Sequence, residues 1–341
     1  MKKTRKKAAL ILADGTVYSG YSFGAQGTSF GELVFTTGVS GFQETLTDPS
    51  NFGQIVVQTF ASVGGYGVNA DDFASDRCHL SGYVVRELTE LPSNYKMTGD
   101  LEGFVEQHGV AGICGVDTRA ITRHIRDNGS MNAAITTEYF TAEPELLEKI
   151  RSFRIASAVE QVLPKQIKVY EAKDAVRQVL AVDFGCRNAT IANLNAHGCT
   201  VTAAPVTLGA EALLKLAEQA DGIVFSEGPG SPEDSACYLD TVRQLAHSGK
   251  AVLALGLGHQ LLAMAEGAQC QKLPRGHRGA NQPVKHLKSG NVYVTTQNHG
   301  YAVQADTLPS QAGEVVEVSL NDGCCEGIVY TSIPALSLIH I

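Results

Sequence analysis

Three consecutive stretches, VLAVDFG (179–185), RNATIANLNAHG (187–198) and CTVTAAP (199–205), decide how this chain folds. The first has no polar alternation, so it reads as a strand covered on both faces. The second reads as a helix closed by Gly198, and the third as another strand. The alternation continues downstream. GAEALLKLAEQA (209–220) is a helix and GIVFSEGPGSP (222–232) a strand entering a Gly/Pro turn. SACYLDTVRQLAHSG (235–249) is a helix, AVLALGLG (251–258) a strand into a tight turn, and HQLLAMAEGA (259–268) a helix. Buried strands separated by helices predict an α/β domain whose mostly parallel sheet is flanked by helices. NVYVTTQNHG, EVVEVSLNDG and EGIVYTS, between 291 and 332, read as antiparallel additions to it.

Upstream of 179 the pattern differs. LVFTT (33–37), QIVVQTF (54–60) and GYVVREL (82–88) are short strand-like runs, while 100–109 and 118–129 have helical period. Residues 164–178, PKQIKVYEAKDAVRQ, are polar without a strong period. The expected layout is a mixed α/β domain over 1–165, a linker over 166–178 and the α/β domain over 179–341. A length of 341 agrees, at roughly 150 residues per domain.

Composition narrows the function classes. Apolar residues at 44% and charged residues at 18% exclude a disordered chain. The net charge of −8 gives no electrostatic case for nucleic acid, and removal of the basic start MKKTRKK makes the remainder more acidic still. The six-residue apolar run Ala8–Ala13 ends at Asp14-Gly15, too short for a signal-peptide core, and reads as a strand entering a turn. No apolar stretch approaches the roughly 18 residues of a membrane span. A cytoplasmic location is expected. The eight cysteines (78, 114, 186, 199, 237, 270, 324 and 325) include no CxxC pair and no zinc-finger spacing, so they read as reduced, small apolar residues and no metal site is expected.

In open parallel sheets ligands bind beyond the C-terminal strand ends. Two such ends carry unusual turns: Ser226-Glu-Gly-Pro-Gly-Ser-Pro232 and Leu255-Gly-Leu-Gly-His-Gln260. The glycines of the first permit close backbone approach. The second is a strand, sharp turn and helix, the architecture of a nucleophile elbow, where a helix N-terminus stabilises a thiolate and nearby amides an oxyanion.

These letters, with GHRGANQPVK (276–285), TTQNHGYAV (295–303) and VDFGCRNATIANL, resemble the class I glutamine amidotransferase domain of the carbamoyl-phosphate synthase small subunit. GELVFTTGVSGFQETLTDPS (31–50) and CGVDTRAITRHIRDNGSM (114–131) resemble that subunit's own N-terminal domain, which other class I amidotransferases lack. The resemblance implies a subunit that hydrolyses glutamine and passes ammonia to a large subunit. That partner uses ATP, Mg and bicarbonate to make carbamoyl phosphate for arginine and pyrimidine synthesis, and the small subunit itself needs no cofactor. By motif matching, glutamine would contact Ser50, Gly228, Gly230, Leu257 (an oxyanion N–H), Gln260, Asn298, Gly300 and Tyr301.

The sequence departs from the pattern at its centre. The family reads G-I-C-L-G-H-Q at the elbow, and this chain reads Ala254-Leu-Gly-Leu-Gly-His-Gln260, so Gly256 holds the nucleophile position. Glycine suits the strained turn but offers no atom to attack an amide. Cys270 is too far along the helix to replace it, and His259 is expected to pack. The Gly-His-Pro-Glu segment that follows the last strand in the family has no counterpart after PALSL (334–338), and His340 stands one position before the family's catalytic His. Glu227 replaces the usual Asn before Gly-Pro-Gly, and Ala61-Ser62 replaces Pro and a bulky residue. The expectation is a glutaminase-deficient member of the family. The alternative is a non-catalytic structural or regulatory subunit that supports ammonia-dependent synthesis.

Overall fold

The computed structural model describes residues 5–340, and the chain divides between Ile155 and Ala156 into two compact units. In the first, β1 (Lys7–Leu12), β2 (Val17–Gly24), β3 (Thr28–Thr36), β4 (Gln54–Gln58), β6 (Gly82–Val84), β8 (Ala111–Cys114) and β9 (Met131–Thr136) close a barrel in the order β1-β2-β8-β6-β4-β3-β9. Two short strands, β5 (Ser62–Val63) and β7 (Glu87–Leu88), pair apart from it. Helices α1 (Phe42–Thr47), α2 (Leu101–Gln107), α3 (Thr118–Asn128) and α4 (Pro144–Ser152) lie between or after the strands.

The apolar run at the start of β1 explains its place. Ala8, Leu10 and Leu12 pack with Leu33, Ile55, Val84, Ile113 and Ile135 from other barrel strands, and Ala9 and Ile11 pack with Leu146 and Ile150 of α4. Both faces of the strand are therefore buried, as an unbroken apolar run requires. Closure was outside the mixed α/β expectation. It arises from the pairing of β9 with both β1 and β3, a non-local contact that no local period announces.

The second unit holds α5 (Ala158–Val162), α6 (Asn188–Ala196), α7 (Ala210–Glu218), α8 (Leu239–Ala246) and α9 (Leu257–Ala265). Its strands are β10 (Lys168–Tyr170), β11 (Arg177–Asp183), β12 (Cys199–Pro205), β13 (Gly222–Phe225), β14 (Ala251–Leu255), β15 (Cys270–His286), β16 (Val292–Val303), β17 (Gly313–Ser319), β18 (Cys325–Tyr330) and β19 (Ala335–Leu338). They form one sheet in the order β10-β12-β11-β13-β14-β19-β18-β17-β15-β16.

Strands β12, β11, β13, β14 and β19 are parallel, and every other pairing is antiparallel. The sheet is thus mixed rather than mostly parallel, because after α9 the strands are joined by turns and carry no crossover helix. The stretch expected as a linker, 166–178, contains β10, which pairs with β12 at the sheet edge, and the division between units falls before it. Its polar character fits an exposed edge. No helix among the described residues is long and apolar enough to cross a membrane.

Candidate active site

Strand β14 ends at Leu255, and α9 begins at Leu257 with Gly256 as its N-cap. Gly256 has φ 52° and ψ −115°, a left-handed conformation that glycine adopts without the strain other residues meet. The turn is held from three sides. Gly256 N–H donates to the Leu338 carbonyl of β19 at 3.0 Å, Gly258 N–H to the Ser226 carbonyl at 3.0 Å, and Gln260 N–H to the Gly256 carbonyl at 3.2 Å. A Cβ on Gly258 would lie 2.5 Å from the Phe225 carbonyl oxygen, so the helix start presses against the end of β13. The backbone of a nucleophile elbow is present, with a glycine where the reactive side chain would stand.

The neighbouring strand end carries the Gly-Pro-Gly turn. A Cβ on Gly228 would lie 2.5 Å from the Phe184 carbonyl oxygen and 3.0 Å from Leu257, so residue 228 packs beside the first residue of α9. Gly230 has φ 86°, where only glycine is comfortable. Glu227 turns away to form a buried ion pair. Its Oε1 accepts from Arg187 Nε at 2.9 Å, from Arg187 N–H at 3.0 Å and from the Thr190 hydroxyl at 2.7 Å. Its Oε2 is buried without a partner. A Cβ on Gly256 would lie 3.0 Å from Glu227 Cβ, so the stem of this glutamate closes over the position the sequence marks as the nucleophile's.

Gln260 is buried, and its Nε2 donates to the Tyr301 carbonyl at 2.8 Å, tying α9 to β16. Asn298, Gly300 and Tyr301 all lie on β16, with Asn298 opposite Arg278 of β15. The structure therefore gathers Gly256, Leu257, Gln260, Gly228 and Tyr301 through direct packing or hydrogen bonds, and places Asn298 and Gly300 on the same strand as Tyr301. Ser50 belongs to the other unit, in the single turn Pro49–Asn51, where its N–H donates to Asp48 Oδ1 at 2.9 Å.

The histidines near the elbow have other occupations. His259 is fully buried, and its Nδ1 lies 2.7 Å from the Ser337 hydroxyl. Burial, with a smaller contribution from His340, pushes its pKa down to about 3. It is a neutral packing residue. His340 Nε2 lies 2.8 Å from Glu317 Oε2, forming a His–carboxylate pair that the sequence did not announce, because Glu317 comes from the adjacent antiparallel strands. Cys270 begins β15, with its Sγ 4.0 Å from the Gln260 carbonyl, beside the helix body rather than at its start. Burial raises its thiol pKa to about 12, so it is no ready nucleophile. All eight cysteines are unpaired.

A second group of polar residues escaped the sequence reading. His277, Gln297, His299 and Glu326 are buried together between β15, β16 and β18. Gln297 Nε2 donates to Glu326 Oε2 at 2.7 Å, and Gln297 Oε1 faces His277 Nδ1 at 3.0 Å and His299 Nε2 at 3.2 Å. His299 Nδ1 lies 2.8 Å from the Tyr301 carbonyl. The network supports the strand that carries Asn298, Gly300 and Tyr301.

Comparison with known proteins places this arrangement. Residues 10–135 match the family model of the carbamoyl-phosphate synthase small chain, CPSase domain, and residues 180–338 match that of the glutamine amidotransferase class-I. A carbamoyl phosphate synthase small chain of Symbiobacterium thermophilum is 42% identical over 334 residues, covering 96% of this chain and 91% of the relative. The small chain of Oceanobacillus iheyensis is 40% identical over 334 residues, covering 98% and 90%. That of Listeria monocytogenes serotype 4b is 41% identical over 334 residues, covering 97% and 90%. With both family models matched in order and relatives at this identity over nearly the whole length, the chain belongs to the carbamoyl phosphate synthase small chain family, the glutamine amidotransferase subunit.

Proposed function

We propose that this chain is the amidotransferase-type subunit of a carbamoyl phosphate synthase, paired with a large subunit, and that it does not itself hydrolyse glutamine. The observation that carries this is the elbow. Its backbone has the φ and ψ of a strained strand-to-helix turn, and residue 256 is a glycine. Amide hydrolysis by this class of site needs a thiolate at the turn, a base to move its proton and amides to hold the oxyanion. The Leu257 N–H at the helix start and the Gly228 backbone beside it suit the last role. Nothing at 256 suits the first, and the buried, hydrogen-bonded His259 does not suit the second.

In this reading Gly228, Gly230, Leu257, Gln260, Asn298, Gly300 and Tyr301 form a shell for a glutamine-like amide. The large subunit would then draw on free ammonia, and this chain would serve as its structural or regulatory partner in the cytoplasm. The subunit needs no cofactor of its own, since ATP, Mg and bicarbonate belong to the large subunit.

The test is carbamoyl phosphate synthesis by this chain assembled with its large subunit, supplied with either glutamine or ammonium. Synthesis from ammonium alone is expected. Glutamine-dependent synthesis at the rate of a relative with cysteine at the elbow would overturn the reading. Gly256→Cys separates scaffold from chemistry. It is expected to restore little, and substantial rescue would assign the base role to the His340–Glu317 pair.

A further inference from the structure

Three residues outside the glutamine shell bring metal-ligating atoms together at the antiparallel side of the sheet. One donor atom each from His277, Asp322 and Cys324 lies within 4.8 Å of the others. His277 comes from β15, while Asp322 and Cys324 flank Gly323 in the turn between β17 and β18. His277 Nε2 lies 2.8 Å from Asp322 Oδ2, and Cys324 Sγ lies 3.3 Å from Glu326 Oε1.

The hydrogen bonds around His277 constrain its protons. Gln297 Nε2 donates to Glu326 Oε2 at 2.7 Å and to the Thr295 hydroxyl at 3.1 Å, which fixes the orientation of the amide and leaves Gln297 Oε1 as an acceptor. His277 Nδ1, 3.0 Å from that oxygen and 3.4 Å from Glu326 Oε1, must therefore carry hydrogen. In the neutral imidazole the lone pair then sits on Nε2, aimed at the Asp322 carboxylate. The 2.8 Å separation is a hydrogen-bond length, so without a cation a second ring proton bridges His277 Nε2 and Asp322 Oδ2, and a bound cation would take the place of that proton. An imidazole whose Nδ1–H is held by a buried amide and carboxylate, with its Nε2 lone pair turned toward further ligands, is how metal-bound histidines are oriented. Glu326, fully buried, is that supporting carboxylate.

We propose that His277 Nε2, Asp322 Oδ2 and Cys324 Sγ form a site for a divalent cation of the Zn2+ class. The nitrogen, oxygen and sulfur donors suit a borderline-soft ion and exclude Mg2+ or Ca2+, which take oxygen sets. Tetrahedral coordination with bonds of roughly 2.1 Å puts ligand atoms roughly 3.4 Å apart. The three donors reach that spacing by a small rearrangement of the exposed turn, in which His277 Nε2 and Asp322 Oδ2 move apart from 2.8 Å, and the exposed turn leaves the fourth position to water. The alternative trio His277, His299 and Glu326 is wholly buried, but both His299 nitrogens face protein acceptors and Gln297 occupies one Glu326 oxygen. The open set is therefore the one a cation can enter. A bound ion would fix His277 and, through Gln297, the strand bearing Asn298.

Titration of the chelator-stripped, full-length chain with Co2+ and then Zn2+ tests this directly, without reference to glutamine or to activity. One Co2+ per chain is expected, with a thiolate-to-cobalt charge-transfer band that one equivalent of Zn2+ removes. Cys324→Ser should abolish the band, and Asp322→Asn, in an exposed turn that tolerates the change, should weaken binding at least about tenfold. Glu326→Gln should weaken it about 10- to 100-fold by releasing His277. Cys237→Ser, an exposed cysteine elsewhere, should change nothing. Absence of the band in the unsubstituted chain, its survival in Cys324→Ser, or its loss in Cys237→Ser would each overturn the proposal.

Discussion

The elbow at 255–260 and the polar network around His277 lie in the same unit and are specified in opposite ways. The elbow is a backbone object. Its shape rests on main-chain hydrogen bonds from Gly256, Gly258 and Gln260 and on the lack of a Cβ where β13 presses in. The network is a side-chain object, in which each position is fixed by its donor or acceptor partners. In the proposed reading the backbone object holds its form with glycine at the reactive position, because that position supplies chemistry and little packing. The side-chain object has no such spare member, since removal of any group orphans its neighbours.

The largest effect expected from this contrast is catalytic. Without a nucleophile, ammonia release from glutamine should fall on the order of 10⁶-fold below a relative with an intact site, measured by coupled ammonia assay. An equal rate would mean the elbow is not the reacting centre. Next comes Glu326→Ala, which removes one of the two acceptors of Gln297 Nε2 and the carboxylate partner of Cys324 and opens a cavity in the interior, and should cost about 3 kcal/mol in urea unfolding. A cost below about 1 kcal/mol would show that water enters the network and that it is not the rigid object described. Gly258→Ala should cost about 2–3 kcal/mol, since its Cβ would meet the Phe225 carbonyl.

Acidification probes the network and the elbow helix together. His259 and His299 are both buried, and burial, followed for His299 by the nearby His277, lowers each to about 3. Between the ordinary histidine value of 6.5 and that depressed value the unfolded chain binds protons that the folded chain excludes, so stability falls as pH drops. Each should contribute about 2 kcal/mol of destabilisation at about pH 5, read from thermal melts. His277 works with the opposite sign. Burial opposes its charge, but the Glu326 hydrogen bond and Asp322 hold its pKa above the ordinary value, so its contribution is present at acid pH and is lost as pH rises through the folded value. His299→Asn should therefore flatten the acid limb, and an unchanged limb would remove His299 from the account. The smallest effect should be Gly256→Ala, about 1 kcal/mol for the left-handed φ and the close Glu227 stem.

What the sequence made legible follows the same division. The strands and helices of 179–268, the two glycine turns and the elbow are written in local periods and turn residues, and the structure places them at adjacent strand ends. Strand β15 carries no local strand signal, because LPRGHRGANQPVKH contains prolines and glycines and no alternation; its register slips twice against β16. The ion pair Arg187–Glu227, the pair His340–Glu317 and the cluster His277–Asp322–Cys324 join segments 23 to 47 positions apart. Spacing rules for metal sites read neighbours along the chain, so a site assembled by sheet pairing has no signature of that kind. The barrel was missed for the same reason.

One strand has a consequence for how the unit is made. β19 inserts between β14 and β18, and the Leu338 carbonyl closes the turn at Gly256. During synthesis the stretch 179–268 is complete long before residues 335–338 leave the ribosome. Until they arrive, β14 is an open edge, and the sheet's two halves are joined only through the covalent chain. The candidate active site is therefore the last part of its unit to be built, and a nascent chain paused before residue 335 should expose that edge to chaperones or to other chains.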